Sequence, residues 1–214
     1  MKEIFYIFVS YLVGSIPFSF LLPKIFLKKN VFEIGYRKAS SSNIVLNLNK
    51  KIGILAGILD LTKGIFIGIL GKNLSPLYCA LCGVFGVIGH NWSIFLKGGG
   101  GRGIALFLGF VLILAPKIFS LTIFPTIFLI LIFNSPLATI FMILILALIS
   151  FYFGEETIFL FSLISLFPIF LKRLSPIKEI SFSNFELIKN RLLYDKDETE
   201  EFLWKKLILK KLKK

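Results

Sequence analysis

Long apolar runs recur along this chain, and each is near the ~20 residues that a helix needs to cross a bilayer. Seven such segments are read, at about 4–27, 52–71, 77–96, 104–115, 118–133, 137–153 and 156–171. The breaks between them are visible. Lys28 and Lys29 end the first, Gly71-Lys72-Asn73 and Pro76 separate the second from the third, and a glycine run, Gly98 to Gly103, precedes the fourth. Pro116-Lys117, Asn134-Ser135-Pro136 and Gly154-Glu155-Glu156 divide the rest. Hydrophobic residues make up 56% of the chain and charged residues only 17%, against about 45–50% and 25% in soluble domains. One soluble core could not hide so many apolar runs and keep a polar surface. The fold class expected is all-α, a polytopic integral membrane protein with about seven transmembrane helices.

Charge sets the orientation. Lys28, Lys29, Arg37, Lys38, Lys50 and Lys51 fall in one loop, Lys97 and Arg102 in another, and twelve more Lys and Arg follow from Lys172. The opposite loops carry Lys2, Lys72 and Lys117 beside the acidic Glu155-Glu156. Positive residues favour the cytoplasmic side, so the N-terminus is expected outside and the C-terminus in the cytoplasm. Residues 1–171 form the expected membrane domain, and 172–214 a basic cytoplasmic tail. There Phe202, Leu203, Leu207, Ile208, Leu209 and Leu212 interleave with lysines, as in an amphipathic helix at an anionic membrane surface. The net charge of +13 flanks apolar segments, so lipid head groups and phosphate-bearing substrates are the expected partners, and nucleic acid is not. No cleavable leader is expected, because the first apolar run lacks a small-residue cleavage site. Cys79 and Cys82 read as two small apolar residues on one helix.

The strongest chemical feature is Lys97-Gly98-Gly99-Gly100-Gly101-Arg102-Gly103. Consecutive glycines remove every Cβ, so backbone N–H groups can converge on an anion, with Arg102 adding a charged fork. A helix beginning near Ile104 points its positive end at the same place. The fourth apolar segment is too short for a ~30 Å hydrocarbon core, so the glycine stretch is expected partly at membrane depth, beside a cavity. The sequence lacks the Gly-Lys-Ser/Thr of a Walker A loop. Asp60 and Lys63 share a helical face inside the second segment, where a charge needs a partner. His90 lies half a span before the glycine run, with helix–helix hydrogen bonding as its first expected role and acid–base work as its second. The loop Gly35-Tyr36-Arg37-Lys38-Ala39-Ser40-Ser41-Ser42-Asn43 offers a bidentate donor and several short ones, suited to phosphate and hydroxyl groups.

Together these residues resemble the bacterial acyl-phosphate-dependent glycerol-3-phosphate acyltransferases, the PlsY family, over roughly residues 10–110. Tyr11-Leu12-Val13-Gly14-Ser15-Ile16-Pro17-Phe18 is similar to the family's first-span signature. Arg37 followed by Ser40-Ser41-Ser42-Asn43-Ile44 resembles its first cytoplasmic motif. Gly53, Asp60, Lys63 and Gly64 match the second-span pattern. Gly89-His90-Asn91 and Gly100-Gly101-Arg102-Gly103-Ile104-Ala105 resemble its second motif. The chain departs from the family at several points. Ser40 and Ser42 replace two glycines of the first motif. Val45-Leu46-Asn47 is one residue shorter than the family's stretch, which makes Asn47 and Lys50 the counterparts of an asparagine and an arginine. Arg102 replaces a lysine, and Leu106 a threonine. Of the third motif only Asn184-Phe185-Glu186-Leu187-Ile188-Lys189-Asn190-Arg191-Leu192 is present, with its histidine and asparagine lost or displaced.

The resemblance implies transfer of a fatty acyl group from acyl phosphate to the 1-hydroxyl of glycerol 3-phosphate, giving lysophosphatidic acid, at a bacterial inner membrane with the site toward the cytoplasm. The expected catalytic residues are Arg37, Ser41, Asn43 and Arg102. Lys63, Lys97, Gly99, Gly100, Gly101 and Gly103 are expected to hold substrate phosphate, with Asp60, His90, Asn47 and Lys50 supporting them. No metal or cofactor is expected, because acyl phosphate arrives activated and the site needs only to hold and align two anions. The alternatives are a divergent relative that binds acyl or glycerol phosphate with little turnover, and a small-anion carrier.

Overall fold

The computed structural model describes residues 1–175, 179–180, 184–195 and 197, with the side chain of Leu131 excepted. Every element in it is helical. The first apolar run folds as two helices, α1 (Lys2–Ser15) and α2 (Phe18–Leu27), broken at Ile16-Pro17. Proline has no N–H to donate, which ends α1 there. A loop containing the short helix α3 (Ser41–Asn47) leads to α4 (Lys50–Gly71) and α5 (Pro76–Asn91). The glycine run then enters α6 (Ile104–Leu114), followed by α7 (Pro116–Ile132), α8 (Ser135–Tyr152), α9 (Glu156–Arg173) and α10 (Phe185–Tyr194). Starts are marked by polar caps and proline. Asn49 accepts from the Ile52 N–H at 3.1 Å and Asn134 from that of Leu137 at 3.0 Å, while Pro76 and Pro116 occupy first turns, where the missing N–H costs nothing.

All seven apolar segments of the sequence are therefore helical. By length and composition, four stretches can cross a membrane: Lys2–Leu27, Lys50–Gly71, Pro76–Leu96 and Ser135–Tyr152. Large apolar side chains such as Phe8, Phe26, Phe128, Leu148, Phe151 and Phe167 stand exposed around the outside. That periphery is intolerable in water and natural in lipid. The protein is a polytopic membrane protein built of long apolar helices.

Small residues bring the helices close. Gly14 of α1 lies against the backbone of Gly86 on α5, and Gly89 against the Tyr11 carbonyl. Gly64 on α4 meets the Leu106 carbonyl of α6, and Gly109 on α6 meets that of Leu61. Between apolar helices in lipid, such close backbone approach is a main source of packing energy. The core is completed where Phe161 of α9 stacks on Phe107 of α6 and packs at a tilt against Phe110, with ring centroids 4.6 and 4.3 Å apart. This frame fixes the ends of α1, α4, α5, α6 and α9 around one polar region. The amphipathic pattern expected over residues 202–214 lies outside the described residues.

Candidate functional site

The break in α1 creates the first polar station. Had the helix continued, the Phe18 N–H would bond to the Gly14 carbonyl; it bonds to Ile16 instead, at 3.2 Å. The orphaned Gly14 carbonyl is capped by Lys63, whose Nζ donates to it at 3.1 Å and also to Ile16 O at 2.7 Å. A cation suits the negative end of a helix. Lys63 also pairs with Asp60 at 2.8 Å, and Ser19 Oγ donates to the other Asp60 oxygen at 2.6 Å. His90 Nδ1 lies 3.3 Å from Lys63 Nζ and 3.6 Å from Asp60 Oδ1. Both partners of the ion pair are buried.

Asn43 organises the cytoplasmic-motif loop. Its Nδ2 donates to the carbonyls of Val31, Ile34 and Lys38 at 3.2, 3.0 and 3.0 Å. Its Oδ1 accepts from the Tyr36 N–H at 3.0 Å and from Asn47 Nδ2 at 2.9 Å. The loop turns through Gly35 and Arg37, both at positive φ, and presents Arg37 and Lys38 on its far side.

The glycine run is a packed ribbon. Gly98, Gly99 and Gly101 donate their N–H groups to the carbonyls of Ser93, Leu96 and His90, at 2.9, 2.9 and 3.1 Å. The Gly99 and Gly100 carbonyls accept from Ser93 and Ala39 at 2.9 and 3.2 Å. A Cβ at Gly100 would strike the backbone of His90 and Asn91, and one at Gly101 the Ala39 carbonyl and the His90 ring. The expected convergence of all the ribbon's N–H groups on an anion is thus replaced by close packing over its first half. Among the described residues no acceptor takes the N–H of Arg102 or Gly103, and these adjoin the first turn of α6, whose donors are also unpaired within a helix.

Two cavities flank this ribbon. The first, of about 250 Å³, has a polar end of Ser40, Ser41, Ser42, Asp60, His90, Arg102 and Gly103. It continues along Ile104, Ala105 and Leu108 of α6 and Ser135 and Thr139 of α8. The second, of about 270 Å³, is basic: Arg37, Lys38 and Lys172 face Gly98 to Gly100, with Phe32 and Ser175. The Ala39–Gly100 hydrogen bond lies between Lys38 of the basic cavity and Ser40 of the first.

The segment after α9 closes over these cations. Lys38 Nζ donates to Asp195 Oδ1 at 2.6 Å, and the other Asp195 oxygen faces Arg102 Nε in an ion pair without hydrogen-bond alignment. Arg102 also lies over the Tyr36 ring, 5.5 Å from its centroid. Arg37 reaches Asp197 at 3.0 Å and Glu179 at 3.5 Å, and buried Arg191 of α10 holds the same two carboxylates. Burial pulls the Lys38 ammonium below its ordinary value, while the Asp195 carboxylate acts the other way.

Of the residues expected from the sequence, Ser41, Asp60, His90, Arg102 and Gly103 meet at the first cavity, and Arg37, Gly99 and Gly100 at the second. Gly101 joins the ribbon between them. Asn43 and Lys63 are buried and turned to protein acceptors, and Asn47 bonds to Asn43. Lys50 and Lys97 are exposed and line neither cavity. Sequence reasoning missed Lys172, Asp195 and the Ser135/Thr139 pair as site residues. Lys172 was visible as a cation ending the last apolar segment, but charge counting gave it only an orienting role. Ser135 and Thr139 sit at i and i+4 and so share a helix face, a signal hidden in a strongly apolar stretch. Arg191, by contrast, stood in the remnant of the third motif and does reach the site region.

The glycerol-3-phosphate acyltransferase family model matches residues 4–181. A glycerol-3-phosphate acyltransferase of Pelagibacter ubique is 37% identical over 115 residues, 54% of this chain and 56% of the relative. Glycerol-3-phosphate acyltransferase 4 of Dehalococcoides mccartyi is 34% identical over 120 residues, 54% of this chain and 52% of the relative. The chain thus spans about half the length of the curated relatives it matches. A crystal structure of PlsY (YgiH), an integral membrane glycerol 3-phosphate acyltransferase in its glycerol 3-phosphate form, superposes with a TM-score of 0.76. It shares 22% identity and covers 97% of this chain and 99% of that one. The lysophosphatidic acid form gives a TM-score of 0.73 at 23% identity, covering 97% of this chain and 100% of that one. Fold and family agree, and the chain belongs to the glycerol-3-phosphate acyltransferase family.

Proposed function

We propose that this protein moves a fatty acyl group from acyl phosphate to the 1-hydroxyl of glycerol 3-phosphate, releasing phosphate and lysophosphatidic acid. The observation that carries the reading is the pair of cavities on either side of the Gly98–Gly103 ribbon. One joins a polar, cationic end to an apolar helix face, which suits an anionic head with a long chain. The other is basic and has no helix face running away from it, which suits a compact phosphate ester.

In this reading acyl phosphate lies in the first cavity. Its phosphate meets Arg102, Ser41 and the unpaired N–H groups leading into α6, and its chain follows Ile104, Ala105 and Leu108 toward lipid. Glycerol 3-phosphate enters the basic cavity, where Arg37, Lys38 and Lys172 neutralise its phosphate. Its hydroxyl reaches the acyl carbon over the seam made by Ala39 and Gly100, a single 3.2 Å hydrogen bond. The hydroxyl oxygen attacks the acyl carbon, the bond from that carbon to the phosphate oxygen breaks, and a phosphate oxygen takes the hydroxyl proton. No enzyme nucleophile is required, and catalysis rests on alignment and charge neutralisation.

Seven crossings place the N-terminus outside, and both cavities and the tail at the cytoplasmic face of a bacterial inner membrane. Residues 1–171 make the membrane domain and 172–214 the cytoplasmic tail. The loop cations, Lys28 through Lys51, Lys97, Arg102 and the tail, support this orientation.

The test is direct. Purified protein receives palmitoyl phosphate and labelled glycerol 3-phosphate, and lysophosphatidate is measured. Formation that Arg37→Ala abolishes, and that Arg102→Ala lowers strongly but measurably, supports the reading. Binding of both substrates without product identifies a relative that has lost turnover. Anion flux across liposomes without product identifies a carrier.

A further inference from the structure

We propose that Asp195 is a positioning residue: a buried carboxylate that orients the Arg102 guanidinium toward the first cavity and ties it to Lys38 of the second. This deepens the acyl-transfer reading and rests on it. Asp195 is 3% exposed and belongs to neither cavity lining, yet its two oxygens face the cations of both, Lys38 Nζ and Arg102 Nε. It engages Arg102 along the Nε edge. Among the described residues no acceptor takes the terminal amino groups of Arg102, the fork that grips a phosphate bidentately. A carboxylate at the inner edge of a guanidinium holds it there by charge and leaves the outer edge for substrate.

The backbone supports the same role. Asp195 ends α10 in the left-handed region, φ 55, where glycine is the unstrained choice. An aspartate there accepts strain that glycine would avoid, and its side chain is what the position gains. The neighbouring carboxylates behave differently. Glu179 and Asp197 are about half exposed where they meet Arg37, so substrate can exchange for them, while Asp195 is closed off from such exchange.

A double-mutant cycle on full-length protein in detergent tests this. Asp195→Asn keeps the shape and removes the charge. It is expected to lower kcat for lysophosphatidate by about 100-fold, the scale of a ~1 Å misplacement of a catalytic group, with the glycerol 3-phosphate KM changed much less. In an Arg102→Ala background the same change is expected to cost about two-fold or less, because coupling vanishes when the partner is gone. Asp195→Gly relaxes the backbone, so its loss of kcat separates the carboxylate's effect from folding, and Asp195→Glu is expected to recover part of the rate. Equal losses in both backgrounds overturn the proposal. So does an unchanged kcat with tighter glycerol 3-phosphate binding, which would make Asp195 a competitor of substrate. If the unmodified protein makes no lysophosphatidate, the acyl-transfer reading fails by itself. The cycle is then read from thermal stabilisation by inorganic phosphate, where the same dependence on Arg102 sustains the Asp195 assignment and its absence ends it.

Discussion

The Asp60 carboxylate stands 2.8 Å from the Lys63 ammonium, and that ammonium also donates to the Gly14 and Ile16 carbonyls where Pro17 ends α1. The pair therefore joins α4 to the break between α1 and α2, beside the first cavity. Removing one partner of a buried pair leaves a bare charge and costs about 3–5 kcal/mol. Lys63→Met is expected to lower the thermal midpoint in detergent markedly, because Asp60 loses its buried counter-ion and the Gly14 carbonyl loses its cap. Asp60→Asn combined with Lys63→Met is expected to recover part of the loss. If Lys63→Met leaves the midpoint unchanged but abolishes phosphate binding, the ammonium serves substrate and not the helix break.

Asn43 gives a second prediction, with a different signature. Its side chain holds three loop carbonyls and the Tyr36 N–H, and so fixes the curve that carries Arg37 and Lys38. Asn43→Ala would remove the side-chain bonds to the Val31 carbonyl and the Tyr36 N–H, while the Ile34 and Lys38 carbonyls keep the Arg37 and Ser40 N–H groups, at about 1–3 kcal/mol for each group left buried without a partner. The basic cavity should suffer first. A raised KM for glycerol 3-phosphate, with a smaller change for acyl phosphate, is the expected kinetic result. A loss of kcat with both KM values intact would instead put the amide in contact with the reacting atoms.

These two cases show where the sequence was legible and where it was not. The apolar segments and the place of the glycine ribbon follow from local pattern, because hydrophobic length and a run of glycines act over a few residues, whereas the first segment, 4–27, divides at Ile16-Pro17. Asp60 and Lys63 could be paired from their i, i+3 spacing alone. The capture of Lys63 by Gly14 and Ile16 could not, since it needs the α1 break to lie beside α4. The fold of 28–40 around Asn43 was hidden for a related reason: an amide that accepts and donates in every direction has no spacing signature. Asp195 is the extreme case. It pairs with Lys38 and Arg102 from the far end of the chain, just outside the third-motif remnant that ends at Leu192.

The ribbon glycines should rank by what surrounds them. Gly100 and Gly101 face backbone and the His90 ring, which cannot yield, whereas nothing lies within 4 Å of a Cβ at Gly98. Gly98→Ala meets only the penalty of its positive φ, of order 1–2 kcal/mol. Gly100→Ala is expected to destabilise far more and to reduce the yield of folded protein. Thermal midpoints of the two variants check the order. Gly98→Ala falling as far as Gly100→Ala would mean that the packed ribbon is wrongly drawn.

Acid should loosen the tail before it loosens the core. The hydrogen bond from Arg191 holds the Asp197 carboxyl below its ordinary value, with Arg191, Arg37 and Lys38 adding charge. A carboxylate depressed in the folded state contributes stability that is fully present above its unfolded pKa, about 3.9, and lost as pH falls through the lower folded value. The contact that ties Arg37 and Arg191 to this segment is therefore expected to persist at pH 5 and to weaken below about pH 4. Limited proteolysis at stepped pH, with an acid-active protease, would show cleavage near 195–197 rising over that window while the helices stay intact. Asp197→Asn removes the titrating group, so its cleavage should already be high at pH 5 and flat below it. A wild-type rise centred above pH 5 would assign the release to some other group.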